Sequence, residues 1–209
     1  MVKNEALKDI KLFNYLSNAK SFSKEWSTKK VENKLIQKVL NTSSKRKTGN
    51  RGEPDFLYIN ESKQLLILIE NKDSITEHKS NNNLKPEKYA VDGVVHYLNC
   101  FKMNKLSTLK TNNYFNNWKI VGIAFSGDID DEYNHLISTY ILDDDKVLDN
   151  NTEELLDEYD YISFFENIDL EKISKNISKS SSEINRILRA IDSQKRPILL
   201  SALMICLYE

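Results

Sequence analysis

The segment QLLILIE at residues 64–70 constrains the fold of this chain more than any other stretch of its sequence. Its five consecutive aliphatic residues show no polar alternation, and such a run is typical of a strand that is buried on both faces. We therefore expect a central strand in a sheet that has other elements packed on both sides. The run ends in a carboxylate, that of Glu70.

Strand and helix signals also precede this run. The segment PDFLYIN at residues 54–60 predicts a short strand, and a turn near residues 61–63 joins it to the central strand as an antiparallel hairpin. Further upstream, apolar residues at helical spacing predict an amphipathic helix over residues 28–41, with Ser27 or Thr28 as its N-cap.

One helix and two strands are predicted after the run. Pro86 suits the first turn of a helix, and the segments at 118–127 and 135–143 have the composition of strands. The order helix, hairpin, helix, strand, strand predicts an α/β fold with a mixed central β-sheet flanked by helices.

The last quarter of the sequence has a different hydrophobic periodicity. From residue 150 onward it shows helical periods and no strand signal. It ends in the apolar segment PILLSALMICLY, which is too short to span a membrane and should pack against another element. We therefore expect one domain at residues 1–150 and a helical segment at residues 151–209.

The composition fits a folded cytoplasmic protein. Apolar residues make up 40% of the chain and charged residues 29%, which is ordinary for a globular protein. The N-terminus has no apolar run of signal-peptide length. Cys100 and Cys206 lie far apart without a CxxC spacing, so neither a zinc site nor a disulfide is indicated.

Charge is distributed unevenly along the chain. Residues 20–51 contain ten Lys or Arg and two acids, whereas residues 128–171 contain sixteen acids and one base. A phosphate backbone would prefer the basic region, although a solvated Lys-rich surface has the same pattern. The candidate DNA-binding residues are Lys45, Arg46, Lys47 and Arg51.

Three residues of the predicted hairpin carry the chemistry. Asp55 opens the first strand and Glu70 ends the second, so antiparallel pairing brings both carboxylates to the same end of the sheet. Lys72 shares the face of Glu70 if the strand continues that far. Two carboxylates suit a hard divalent cation, which activates water and polarises a phosphate. A lysine beside them orients the water and stabilises developing negative charge.

Asp55 after Pro54, followed by Glu70-Asn71-Lys72, resembles the PD-(D/E)xK nuclease superfamily in order and spacing. The resemblance implies a restriction-endonuclease-like core and a magnesium-dependent endonuclease, with Mn²⁺ as a substitute for Mg²⁺. It implies Asp55, Glu70 and Lys72 as catalytic residues and the two carboxylates as metal ligands. The alternative is that Asp55 caps a turn and the ExK triplet is a solvated strand end.

Other positions enter through the same resemblance. A carboxylate of the helix before the hairpin often completes the metal site in that superfamily, and Glu32 is the matching position, with an ordinary surface glutamate as the alternative. Gly52 resembles the lead-in residue that lets the backbone approach DNA. Asp92 and His96 lie one helical turn apart and are expected either to touch the substrate or to form a structural pair.

The segments GEPDFLY, LILIENK and YAVDGVVHYLN are similar to the nuclease domains that open type IIG restriction-modification enzymes and type I restriction subunits. This resemblance covers roughly residues 28–127. The QxxxY pair of type I subunits is missing, because the corresponding helix contains no Gln.

The tail segment EINRILRAIDSQKRPILLSALMICL resembles the helical region that leads into an N6-adenine methyltransferase domain in the fused enzymes. We therefore expect residues 151–209 to be a helical connector to a methyltransferase domain outside this sequence. The resemblance implies double-stranded DNA as the substrate, cleavage that leaves a 5′-phosphate, a role in phage defence, and a fused or associated methyltransferase and specificity domain. One active site per chain favours a transient dimer, and no membrane partner is expected.

Two other functions fit the same residues. One is a non-catalytic DNA-binding or assembly module with a nuclease-like fold, against which the intact triad argues. The other is a repair or phage-defence nuclease that acts on single-stranded or branched DNA, which substrate profiling would separate.

Overall fold

The chain forms two compact units, Met1–Ser163 and Phe164–Glu209. The structure, a computed structural model, describes residues 2–28, 31–46, 51–82, 84–106, 114–131 and 133–206. The first unit contains the whole described sheet, and the described part of the second unit is helical. The first unit extends past residue 150, where the sequence placed the domain boundary, to Ser163.

A mixed sheet of six strands forms the centre of the first unit. The strands are β1 (Trp26–Ser27), β2 (Phe56–Asn60), β3 (Leu65–Lys72), β4 (Lys119–Gly127), β5 (His135–Asp143) and β6 (Lys146–Asp149). They lie side by side in chain order, with β3 and β4 parallel and every other neighbouring pair antiparallel. The predicted mixed sheet and the predicted antiparallel hairpin are thus confirmed.

The described residues contain five α-helices. They are α1 (Val2–Asn18), α2 (Lys34–Leu40), α3 (Ala90–Leu106), α4 (Glu158–Arg189) and α5 (Arg196–Cys206). One turn of 3-10 helix at Ile75–Glu77 follows β3. Helix α3 lies in the crossover that parallel strands such as β3 and β4 require.

Strand β3 is buried on both faces, as its apolar sequence predicted. Residues 65–69 are 0% exposed. Leu66 belongs to the core that the sheet shares with α2 and α3. On the opposite face Asn71 Nδ2 donates a hydrogen bond of 2.6 Å to a carboxylate of α1. Because alternate residues of a strand point to opposite faces, Glu70 and Lys72 share the face of Leu66.

Helices cover the sheet on both sides. Val94 and Leu98 of α3 are completely buried in the larger core cluster. On the other side Leu12 of α1 is buried, and the ring centroid of Phe13 lies 6.0 Å from that of Phe56 in β2. The hairpin is therefore enclosed between two helical layers, which fixes the positions of the side chains at its end.

Helix α2 is shorter than predicted. It begins at Lys34 and not at residue 28, because Asn33 is the N-cap: its side-chain oxygen accepts hydrogen bonds of 3.0 Å from the N–H groups of Leu35 and Ile36. The predicted cap Ser27 lies in β1 instead.

Two other helices also differ from prediction. Helix α3 begins at Ala90, so Pro86 lies in the preceding turn and not in the first helical turn. Helix α1 was not predicted, since it is mostly polar and buries few apolar side chains, among them Leu12 and Leu16.

The described part of the second unit confirms the predicted helical tail. An exposed apolar stripe runs along α4 and consists of Leu170, Ile173, Ile177, Ile184 and Ile187. No described helix combines the length and the apolar character that crossing a membrane requires. The role of this segment as a connector stays a prediction.

Glu158, at the start of α4, is a carboxylate that is 3% exposed. It accepts hydrogen bonds from Tyr58 Oη at 2.5 Å and Asn60 Nδ2 at 2.7 Å, and Lys63 Nζ lies 2.7 Å from its Oε2. Burial alone would raise the pKa of Glu158, but the hydrogen bonds, led by that from Lys63, lower it to about 2. This cluster fixes the turn end of the β2–β3 hairpin.

Glu158→Gln is expected to lower the free energy of unfolding by about 2–3 kcal/mol at neutral pH, because Lys63 loses its buried counter-charge. The loss should shrink as the pH falls from 4.5 to about 2, since the carboxyl ionises near 4.5 in the unfolded chain and near 2 in the folded chain. Urea unfolding across this pH range measures both effects. The exposed Glu154→Gln is the control, and a loss that does not depend on pH would contradict the assignment.

Candidate active site

Asp55 and Glu70 lie close together at the open end of the hairpin. Asp55 directly precedes the outermost registered pair, Phe56 with Ile69, and Glu70 directly follows that pair on β3. Asp55 N–H donates to the Ile69 carbonyl at 3.0 Å, one residue out of the register of the ladder. Asn71 N–H in turn donates to Asp55 Oδ2 at 2.7 Å. The structure thus brings together the two carboxylates, as predicted.

Two lysines converge on one oxygen of Glu70. Lys72 Nζ lies 2.9 Å from Glu70 Oε1, since β3 continues as far as Lys72. Lys45 Nζ, from the segment between α2 and β2, donates to the same oxygen at 2.5 Å. The sequence had assigned Lys45 to DNA binding, whereas the structure places its ammonium group inside the site. The contact joins residues 25 positions apart, and Lys45 lies outside the helices and strands, so no spacing rule could have found it.

The carboxylate of Glu70 is completely buried. None of the described residues donates a hydrogen bond to its Oε2. Helix α3 approaches it closely at Gly93, where a Cβ would lie 3.0 Å from both Cγ and Cδ of Glu70. A buried carboxylate oxygen without a donor is costly, which makes Oε2 a candidate ligand for a cation.

The environment of Asp55 opposes its ionisation. Burial, and next the charge of the nearby Glu70, raise the pKa of Asp55 from 3.8 to about 7. The hydrogen bond from Asn71 and the charges of Lys45 and Lys72 lower it, without cancelling these effects. A divalent cation between the two carboxylates would remove their repulsion and favour the ionised form.

Close packing fixes the backbone near Lys45. Ser43 Oγ donates to the Val39 carbonyl at 2.6 Å, and Gly52 N–H donates to the Leu40 carbonyl at 2.7 Å. A Cβ at Gly52 would lie 2.4 Å from the Ser43 carbonyl oxygen. Packing within the protein therefore explains why residue 52 is a glycine. The family resemblance had connected Gly52 with the approach of DNA.

Tyr97 of α3 lies beside the site and contacts Lys45. Lys45 Nζ lies 5.6 Å from the centroid of its ring. Burial, and then the charges of Glu70 and Asp55, raise the pKa of Tyr97 above its ordinary value. Its hydroxyl therefore keeps its proton at neutral pH.

Helix α1 supports the end of β3 from the opposite face of the sheet. Asp9 Oδ1 accepts the 2.6 Å hydrogen bond from Asn71 Nδ2, and Lys8 Nζ donates to the Asp73 carbonyl at 2.5 Å. These contacts were missed because α1 has no recognisable motif, and its distance in sequence from β3 gives no signal.

Glu32, the predicted third metal ligand, is not brought to the two carboxylates. It precedes α2 and lines a surface groove of about 650 Å³ together with Glu25, Glu61 and Ser62. The last two residues directly follow β2, at the opposite end of that strand from Asp55. The late start of α2 explains this placement, because it leaves Glu32 outside the helix that was expected to present it.

The other candidate DNA-binding residues have different environments. Arg46 is exposed and lies 3.4 Å from Glu87. Arg51 is half-buried beside Gly52. Lys47 lies outside the described residues.

Asp92 and His96 do not pair with each other. Asp92 accepts hydrogen bonds from Ser80 Oγ at 2.5 Å and from Lys85 N–H at 2.8 Å, so it holds the loop before α3. His96 Nε2 lies 3.1 Å from the Ser43 carbonyl oxygen. Both contacts are structural ones, made with the protein's own loops.

The described residues contain no group of three or more His, Cys, Asp or Glu side chains arranged to hold a metal. Asp55 and Glu70 alone still fit Mg²⁺, because this ion is usually held by one or two carboxylates and keeps water and substrate phosphate as its other ligands. Coordination would also satisfy Glu70 Oε2, to which no described residue donates.

Comparison with known proteins identifies no relative. No family model matches the chain, and neither a curated protein nor a solved structure is significantly similar to it. The function is therefore inferred from the geometry of the site and from the motif in the sequence.

Asp55→Asn is expected to raise the free energy of unfolding by about 1–3 kcal/mol near pH 8 in metal-free buffer. The wild-type carboxyl destabilises the fold as the pH rises from 3.8 to about 7, because the unfolded chain releases its proton first. Asparagine removes this charge and keeps an acceptor for Asn71 N–H. Urea unfolding at about pH 4 and pH 8 measures the difference, with the exposed Asp169→Asn as control. A destabilised variant at pH 8 would contradict the account.

Proposed function

We propose that this chain contains a Mg²⁺-dependent DNA endonuclease domain of the PD-(D/E)xK type that serves a restriction-modification system. One observation carries the proposal: two carboxylates come together at the open end of a buried hairpin, with Lys72 beside them. Asp55 and Glu70 would hold Mg²⁺ or Mn²⁺. When bound, the ion would polarise the scissile phosphate and lower the pKa of the attacking water.

The fold prepares the two carboxylates for this role. Strand β3 fixes the side chain of Glu70, and the hydrogen bond from Asn71 N–H fixes one oxygen of Asp55. Burial of Glu70 strengthens its attraction for a cation, because charges interact more strongly where water is excluded.

Lys72 is suited to act on the nucleophile and on the phosphate. Its side chain is 18% exposed, so it extends from the buried carboxylate towards solvent. An ammonium group there orients the attacking water and stabilises the negative charge that develops on the phosphate. The proposed substrate is double-stranded DNA, and the proposed product carries a 5′-phosphate.

The restriction-modification context rests on the sequence resemblance of the hairpin segments and of the tail. In this proposal α4 and α5 connect the nuclease to a methyltransferase and a specificity domain, and the nuclease dimerises transiently to cut both strands. The apolar stripe on α4 is consistent with a further packing partner.

One observation favours a second candidate, a non-catalytic DNA-binding module with the same fold. Lys45 and Lys72 together already neutralise the charge of Glu70, so the site does not need a cation for its folded state. In such a module the basic segment would still bind phosphate.

A cleavage assay on supercoiled plasmid separates the two candidates. With Mg²⁺ or Mn²⁺ we expect wild-type cleavage that EDTA abolishes, and a rate at least about 100-fold lower for Asp55→Asn and for Lys72→Met, because each removes a group that acts in the transition state. The exposed Lys175→Met should match the wild type.

If the protein shifts the plasmid in a gel but cleaves it under none of these conditions, the result would contradict the proposed nuclease activity. It would support the second candidate. Parallel assays on single-stranded and branched DNA test the proposal that the substrate is duplex DNA. Faster cleavage of either of these would contradict that proposal.

A further inference from the structure

The site holds more positive charge than its proposed chemistry requires. Lys72 alone supplies the ammonium group for the water and the phosphate, yet Lys45 contacts the same oxygen of Glu70. Lys45 Nζ also lies over the ring of Tyr97, 5.6 Å from its centroid. Lys45 is therefore built into the site, and the role of Lys72 does not explain it.

Charge balance suggests what Lys45 does. When both carboxylates are ionised, Asp55 and Glu70 are neutralised by Lys45 and Lys72. A divalent cation would add two positive charges to this balanced group, at a place where burial makes repulsion between like charges strong. Binding of the cation is therefore easier if one ammonium group leaves Glu70.

Lys45 is the lysine that can leave. Lys72 lies in β3, paired with Ser126 of β4, and stays beside Glu70 in the proposed chemistry, whereas Lys45 has no role there. Lys45 comes from an irregular segment outside the sheet. Its backbone is held by the packing of Ser43 against Gly52, but its long side chain can swing without moving that backbone.

We propose that Lys45 is a built-in counter-ion that competes with the divalent cation for Glu70 and pairs with a DNA phosphate when the cation binds. This inference rests on the proposed function. Lys45 is a positioning residue, since it acts through Glu70. Without DNA it keeps the affinity for the cation low, and a phosphate that takes over Lys45 raises that affinity. By linkage, the cation strengthens DNA binding by the same factor.

Titration calorimetry of Mn²⁺ into the full chain tests the competition. Lys45→Met is expected to bind Mn²⁺ about 10-fold more tightly than wild type without DNA, because a neighbouring positive charge has been removed. The exposed Lys175→Met is the matched control and should bind as wild type does. If Lys45→Met fails to fold, Lys45→Gln provides the same test, since its amide still donates a hydrogen bond to Glu70.

A second titration tests the link to DNA. It measures the binding of Ca²⁺ to the protein with and without a short DNA duplex. We expect the duplex to raise the affinity of wild type for Ca²⁺ and to raise that of Lys45→Met by a smaller factor. An unchanged or weaker cation affinity in both Lys45 variants, or an equal effect of DNA on wild type and variant, would overturn the inference.

Asp55→Ala separates this failure from failure of the proposed function. If wild type has a cation site that Asp55→Ala abolishes, an unchanged affinity in the Lys45 variants overturns the competition alone. If wild type has no cation site that depends on Asp55, with or without DNA, the proposed function and this inference are both overturned.

Discussion

The closeness of the Asp55 and Glu70 carboxylates at the open end of the β2–β3 hairpin is the constraint on which the rest of the site depends. Like charges in a buried place repel each other, and burial with this repulsion raises the pKa of Asp55 to about 7. The backbone hydrogen bonds of the hairpin and the apolar core around β3 keep them together. A divalent cation bound between the two carboxylates, as we propose, would offset this repulsion.

The surroundings hold this arrangement from several directions. Gly93 lets α3 approach Glu70, and Asp9 of α1 holds the end of β3 through Asn71 on the opposite face. At the turn end of the hairpin, the cluster around Glu158 fixes β2. The proposed catalytic groups therefore sit on rigid elements, which is the arrangement that electrostatic catalysis requires.

The sequence predicted the centre of the site and not its edges. Asp55, Glu70 and Lys72 followed from strand pairing and from the alternation of side chains, because both rules act within one hairpin. The prediction that Glu32 lies within α2 was wrong, because the helix begins after it. The sequence offers several possible N-caps, and the choice among them depends on local geometry. The contact of Lys45 is set by an irregular segment packed on α3, so it could not be derived from spacing.

Anomalous X-ray scattering from crystals grown with Mn²⁺ tests the central claim, that Asp55 and Glu70 form one cation site. We expect a manganese peak within about 2.0–2.5 Å of an Asp55 oxygen and of Glu70 Oε2, with the ammonium group of Lys45 moved away from Oε1. A manganese peak elsewhere, or no peak beside two carboxylates that still hold both lysines, would contradict it.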